Sequence, residues 1–146
     1  MRLRGQPALE YMAIVGLSLA ILVPLWIYVN SSMDSARADL QLSYAQNSLE
    51  RIREAADAAY VEGVPAQFSL FLNFPQGIES TSVSGTEVMM RITPFGAGGA
   101  LSDVYVVTIG NVTGSIPLQS GMVRLYVKAE YNQSSGENYV NITETA

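Results

Sequence analysis

The chain contains no cysteine and no histidine. Without thiols there is neither a disulfide framework nor a thiolate metal site. With imidazole missing as well, a zinc centre of the usual donors, a Cys or His nucleophile system and a His general base all drop out. Charge is scarce too: Asp, Glu, Lys and Arg make up 14% of the 146 residues, and the formal net charge is −5. Nucleic-acid binding needs a basic footprint, which this composition does not supply. The glycine-rich stretch Pro94 to Ala100 lacks the Gly-Lys-Ser or Gly-Lys-Thr ending of a phosphate loop and reads as a flexible connection. Scattered Ser and carboxylates form no catalytic constellation. The sequence is therefore not read as an enzyme, and it calls for no cofactor and no metal.

What the chain has instead is a long run without charge. Nineteen residues from Tyr11 to Val29 carry no ionisable side chain other than tyrosine. At about 1.5 Å per residue a helix of that length spans roughly 28 Å, close to the ~30 Å of a bilayer core. A cleavable secretory signal has a shorter apolar region, of roughly 7 to 15 residues. Arg2 and Arg4 precede the run, whereas Asp34 and Asp39 outweigh Arg37 after it. Positive charge stays on the cytoplasmic side, so the C-terminal part is expected to be exported. Pro24 falls inside the run and is expected to kink or loosen the helix, since it removes one hydrogen bond. Trp26 and Tyr28 fit either an interfacial aromatic belt or a packed helix surface. Glu10 sits at the lip of the run, where a carboxylate carried into apolar surroundings is costly unless it finds a partner.

After Val29, Leu42, Ala45, Leu49, Ile52, Ala56 and Ala59 recur at spacings of three and four, the stripe of an amphipathic helix. Gly63 and Pro65 supply its stop. If continuous from Pro7 to Glu62, these 56 residues make a helix of roughly 84 Å. Beyond Pro65 the texture changes to alternation broken by Gly, Pro, Asn and Ser. Strands are expected over Gln67–Leu72, Glu87–Thr93, Asp103–Ile109, Met122–Tyr131 and Asn138–Ile142, with weaker ones over Ile78–Val83 and Val112–Leu118. The fold class is α+β: a long N-terminal helix, then an antiparallel β-sandwich, Ig-like or a small barrel. Four asparagines, Asn30, Asn111, Asn132 and Asn141, begin Asn-X-Ser/Thr sequons, where seven Asn and 22 Ser plus Thr predict about one by chance. Asn111, Asn132 and Asn141 are the stronger glycosylation candidates, because they fall in the exported part.

The segment Gly5-Gln6-Pro7-Ala8-Leu9-Glu10-Tyr11, a short basic leader followed by a hydrophobic helix, resembles the class III signal peptide of archaeal type IV pilins. Ala8 stands where that family often has Ser, and Ile14 where it often has Leu. Pro7 suits a first helical position, which needs no N–H. The resemblance implies cleavage by a prepilin peptidase between Gly5 and Gln6, which divides the chain into a leader (1–5), a stem helix (6–62, apolar over 11–29 and amphipathic over 33–62) and an exported β domain (65–146). Losing Arg2 and Arg4 takes the net charge from −5 to −7. It further implies that the mature chain leaves the cytoplasmic membrane, with the help of an assembly ATPase and a membrane platform, to polymerise with identical subunits into an extracellular filament for adhesion or cell contact. A minor pilin or secretion pseudopilin is a variant of the same reading. Glu10, fifth in the mature chain, would pair with the terminal amine of Gln6 on a neighbouring subunit. Cyclisation of Gln6 to pyroglutamate would remove that amine's charge.

Two other readings use the same features. One is a single-pass anchored surface module that binds a ligand and never polymerises. The other is a soluble secreted β domain released by a cut after Ser31. The mass of the N-terminal peptide separates these outcomes. A start at Gln6 is expected, free or cyclised, and a start at Ser32 would mean an ordinary secreted domain.

Overall fold

A computed structural model describes residues 6–96, 98–133 and 136–144, with side chains from residue 8 onward. One helix, α1 (Gln6–Glu62), precedes five strands: β1 (Gln67–Phe74), β2 (Ile78–Ile92), β3 (Ser102–Gly114), β4 (Gly121–Asn132) and β5 (Glu137–Glu144). The chain divides into two compact units, Met1–Ala36 and Arg37–Ala146.

In the second unit the expected stripe of α1 is the helix's buried face. Ala45, Leu49, Ile52, Ala56 and Ala59 are almost wholly inaccessible, and Leu42 packs against them from the margin. Ser48 lies on the same face, its hydroxyl donating to the Asn73 carbonyl of β1 at 3.2 Å. At the end of the helix the N–H of Gly63 (φ 72°) bonds back to Ala59 at 2.9 Å, the left-handed cap that glycine permits.

The strands form one mostly antiparallel sheet in the order β1-β4-β5-β3-β2. The α+β class holds, but the second layer over the sheet is α1 rather than a second sheet. Its alanines allow close approach, and the sheet's inner side chains Leu72, Val88, Met90, Val123, Leu125, Val127, Val140 and Ile142 complete the core. In β4 the expected alternation is present, with Val123, Leu125, Val127 and Ala129 buried while Met122, Arg124 and Lys128 face outward. The single parallel pairing, β3 with β5, covers only Val112–Gly114 against Val140–Ile142.

Strand β2 contains a reversal. Fifteen extended residues would span about 50 Å, yet the N–H of Thr93 reaches the carbonyl of Gly77 at 2.8 Å. The strand therefore folds back, at Gly85 (φ 62°), its one left-handed residue. Ile78–Val83 and Glu87–Thr93, expected as separate strands, are its two arms. Of the expected strand Val112–Leu118 only Val112–Gly114 is extended, and it continues β3 from Asp103–Ile109 rather than forming a strand of its own. Gly114 (φ 121°) ends the strand, and Ser115 N–H bonds to the Ile142 carbonyl at 3.0 Å.

Opposite the turn of β2, β3 bulges: Glu87 pairs with Val107 but Gly85 with Val112. The bulge frees backbone groups, and α1 takes one of them, since Asp57 Oδ1 accepts the Ile109 N–H at 2.8 Å. The buried Thr108 hydroxyl lies within bonding distance of the Gly110 and Thr86 carbonyls, at 2.8 and 3.2 Å. Any Cβ on Gly110 would run into the ring of Tyr60. Gly110→Ala should therefore cost on the order of 1–3 kcal/mol in chemical unfolding of the detergent-solubilised chain. In a Tyr60→Ala background the same change should cost much less, so additive losses would show that the ring is not the obstacle.

Candidate functional site

Two surfaces stand out, the N-terminal part of α1 and the outer face of the sheet. From Ala8 to Met33 every side chain of α1 is exposed. Successive residues of a helix point about 100° apart, so Ile21, Leu22, Val23, Leu25, Trp26 and Ile27 together present apolar surface in all directions. A helix that is apolar all round is stable only when something covers it. This one is long and apolar enough to cross a membrane, and none of that window is buried within the chain. Two hydroxyls on this part of α1 are satisfied locally: that of Ser18 donates to the Ile14 carbonyl at 2.8 Å, and that of Ser35 to the Ser31 carbonyl at 3.1 Å.

Pro24 lies inside α1 with helix on both sides, so it interrupts one hydrogen bond without ending the element. Pro7 falls in the first turn, as its chemistry favours. Glu10 is exposed and has no hydrogen-bond or ion-pair partner among the described residues. Gly5, on one side of the expected cut, lies outside the described residues, as does the side chain of Gln6. Asn30 is exposed on an unbroken stretch of α1, and Asn30-Ser31-Ser32 is helix rather than a break.

The outer face gathers the other three sequons. Asn111 on β3 and Asn132 at the end of β4 are exposed, and Asn141 on β5 is half-buried. All three alternate with inward-facing core residues, so they share one side of the sheet. Asn141 stands opposite Lys128 on β4 and opposite Thr113 on β3, the Thr of the Asn111 sequon. Asn111 and Asn132 line one shallow concavity of about 500 Å³, with Asn138 and Tyr139 between them. Beside it the Glu130 carboxylate accepts from Tyr139 Oη at 2.7 Å, Lys128 Nζ at 3.2 Å and, more weakly, Asn141 Nδ2 at 3.5 Å. Sequence reasoning missed this group, because only the β4–β5 register brings residues nine and eleven apart onto one carboxylate. Farther along the sheet, Arg91 holds Asp103 through two bonds of 2.6 and 2.7 Å. The Pro94–Ala100 connection is tied to α1: Phe95 N–H donates to Gln41 Oε1, and Arg37 stacks on its ring at 5.4 Å. Among the described residues no three acidic side chains gather to hold a metal ion.

No protein-family model, no curated protein and no solved structure matches this chain.

The two carboxylates give the sheet an acid dependence. The hydrogen bond from Tyr139, then that from Lys128, holds Glu130 below the usual carboxylate range, and Arg91 does the same to Asp103. A depressed folded pKa contributes stability that is present above the unfolded values, about 4, and is lost as pH falls through the folded ones. Thermal unfolding of Glu130→Gln should show a chain less stable than the native one at pH 7. The two curves should converge toward pH 2, and a constant difference across that range would remove Glu130 as the source.

Proposed function

We propose that the chain is a structural pilin-type subunit. Its α1 helix anchors it in the cytoplasmic membrane, N-terminus inside, and then bundles with the helices of identical subunits, so that the β domains form the wall of an extracellular filament used for adhesion or cell contact. The observation that carries this reading is the all-round apolar helix surface, uncovered among the described residues, with the Glu10 carboxylate near its start unpartnered among them. Lipid can cover the helix in the membrane, and a bundle of identical helices is an equally apolar destination when it leaves. Each fully buried Leu, Ile, Val or Met contributes about 1.5–3 kcal/mol relative to exposure in water, so a stem of this kind stays in lipid or in a bundle.

Glu10 supplies the register. In an apolar bundle its carboxylate is stable only beside a cation or strong donors. Cleavage before Gln6 by a prepilin peptidase creates such a group, the terminal amine, at the same end of every neighbouring helix. An assembly ATPase and membrane platform would drive extraction. The three sequon asparagines of the strands share one side of the sheet, where Asn111 and Asn132 are exposed and Asn141 is half-buried, which fits an outward, glycan-bearing wall with Asn111 and Asn132 the more accessible acceptors.

Glu10→Ala should leave the N-terminal mass at Gln6 while filaments seen by electron microscopy disappear. Removing one partner of a buried pair costs about 3–5 kcal/mol, which weakens subunit addition on the order of a hundredfold or more. Abundant filaments from this variant would remove the pairing role. Absence of filaments from the native chain, with the protein held in membranes, would favour an anchored surface module.

A further inference from the structure

The outer face of the sheet carries an apolar patch at each margin. On the β2–β3 side Met89 stands opposite Tyr105 and Glu87 opposite Val107. Tyr105 is 63% and Val107 58% exposed. On the solvated face of an antiparallel sheet such positions are ordinarily polar. The side chain of Glu87, opposite Val107 at the end of this patch nearest the turn, has no hydrogen-bond or ion-pair partner among the described residues.

On the β1–β4 side Phe71 is 57% and Met122 73% exposed. Between them the Arg124 guanidinium lies 4.8 Å from the Phe71 ring and 5.5 Å from Tyr126, and donates to Ser69 Oγ at 3.1 Å. Arg91 and Lys128 each hold a carboxylate, Asp103 and Glu130. Arg124 is the one cation of this face with no carboxylate partner among the described residues. One patch thus presents an unpaired acid in apolar surroundings, and the other an unpaired guanidinium stacked on aromatic rings.

We propose that these two margins are the halves of one heterologous contact between copies of this chain, the Glu87 patch of one copy seating on the Arg124 patch of the next. The choice of a second copy as occupant rests on the filament reading above. The pairing itself rests on the opposite charge and shared apolar character of the two patches. A carboxylate meeting a stacked guanidinium makes a charge-assisted bond that is strong and directional once the flanking Tyr, Val, Phe and Met side chains exclude water. Because the two halves are different surfaces on every copy, the contact repeats without closing on itself. Asn111 and Asn132 open onto the concavity, on the far side of the β3 bulge from Tyr105 and Val107.

The test uses the full chain on cells, where the native sequence contributes no background thiol. Val107→Cys and Phe71→Cys are introduced together and separately and treated with a short bismaleimide. The double variant should give a ladder of dimers, trimers and longer species on denaturing gels, and each single variant should stay monomeric. Adding Glu87→Arg should cut the ladder at least fivefold, and adding Arg124→Glu to that chain should restore it, which a folding defect would not allow. No ladder in the double variant, dimers from one single variant, or failure of the charge exchange to restore the ladder would each overturn the proposal. Electron microscopy of the same cells separates the two ideas. Filaments without a ladder sink this contact alone, whereas a ladder without filaments keeps the contact and sinks the filament reading.

Discussion

The physical constraint on which this molecule depends is an apolar helix surface that its own chain does not cover. Burial divides α1 into two regimes. Toward its start the apolar residues point in every direction, and no face turns inward. From Ala45 onward they are confined to one stripe, and that stripe meets a sheet. The first regime needs a partner from outside, lipid or other helices, and the second builds its own core.

Close approach between α1 and the sheet depends on small residues. Ala45, Ala56 and Ala59 let the helix lie on the inner side chains, and Gly110 makes room for the Tyr60 ring. The β3 bulge that brings Gly110 there would leave an N–H unpaired, and Asp57 accepts it. Helix and sheet are thus joined by a hydrogen bond as well as by packing. This is why Asp57, which looks in the sequence like one more charge on a solvated face, belongs to the domain's interior margin.

The outer face of the sheet is chemically divided. Its central strands carry the sequon asparagines and the Glu130 network, a polar region. Its margins carry exposed aromatic and aliphatic side chains beside Glu87 and Arg124, neither of which has an ion-pair partner among the described residues. With no cysteine in the sequence, the domain formed by the sheet and the second half of α1 relies on its one core.

The long apolar run, the stripe that follows it, the glycine stop at Gly63 and the alternation of β4 were all legible in the sequence. Each is a periodicity or a local backbone preference, carried by residues within a few positions of one another. The helix–strand division at about residue 65 follows from the change of period alone. What pairs with what was not legible. The fold-back of β2 at Gly85, the short parallel pairing of β3 with β5, the use of α1 in place of a second sheet, and the convergence of Asn111, Asn132 and Asn141 on one face all depend on register between distant segments. A one-residue slip in register would move each of those side chains to the opposite face. The chain by itself determined which residues must be hidden, because hydrophobic periodicity is local. Only the tertiary structure decided which exposed residues stand together, because that is fixed by hydrogen bonds between strands far apart in the sequence.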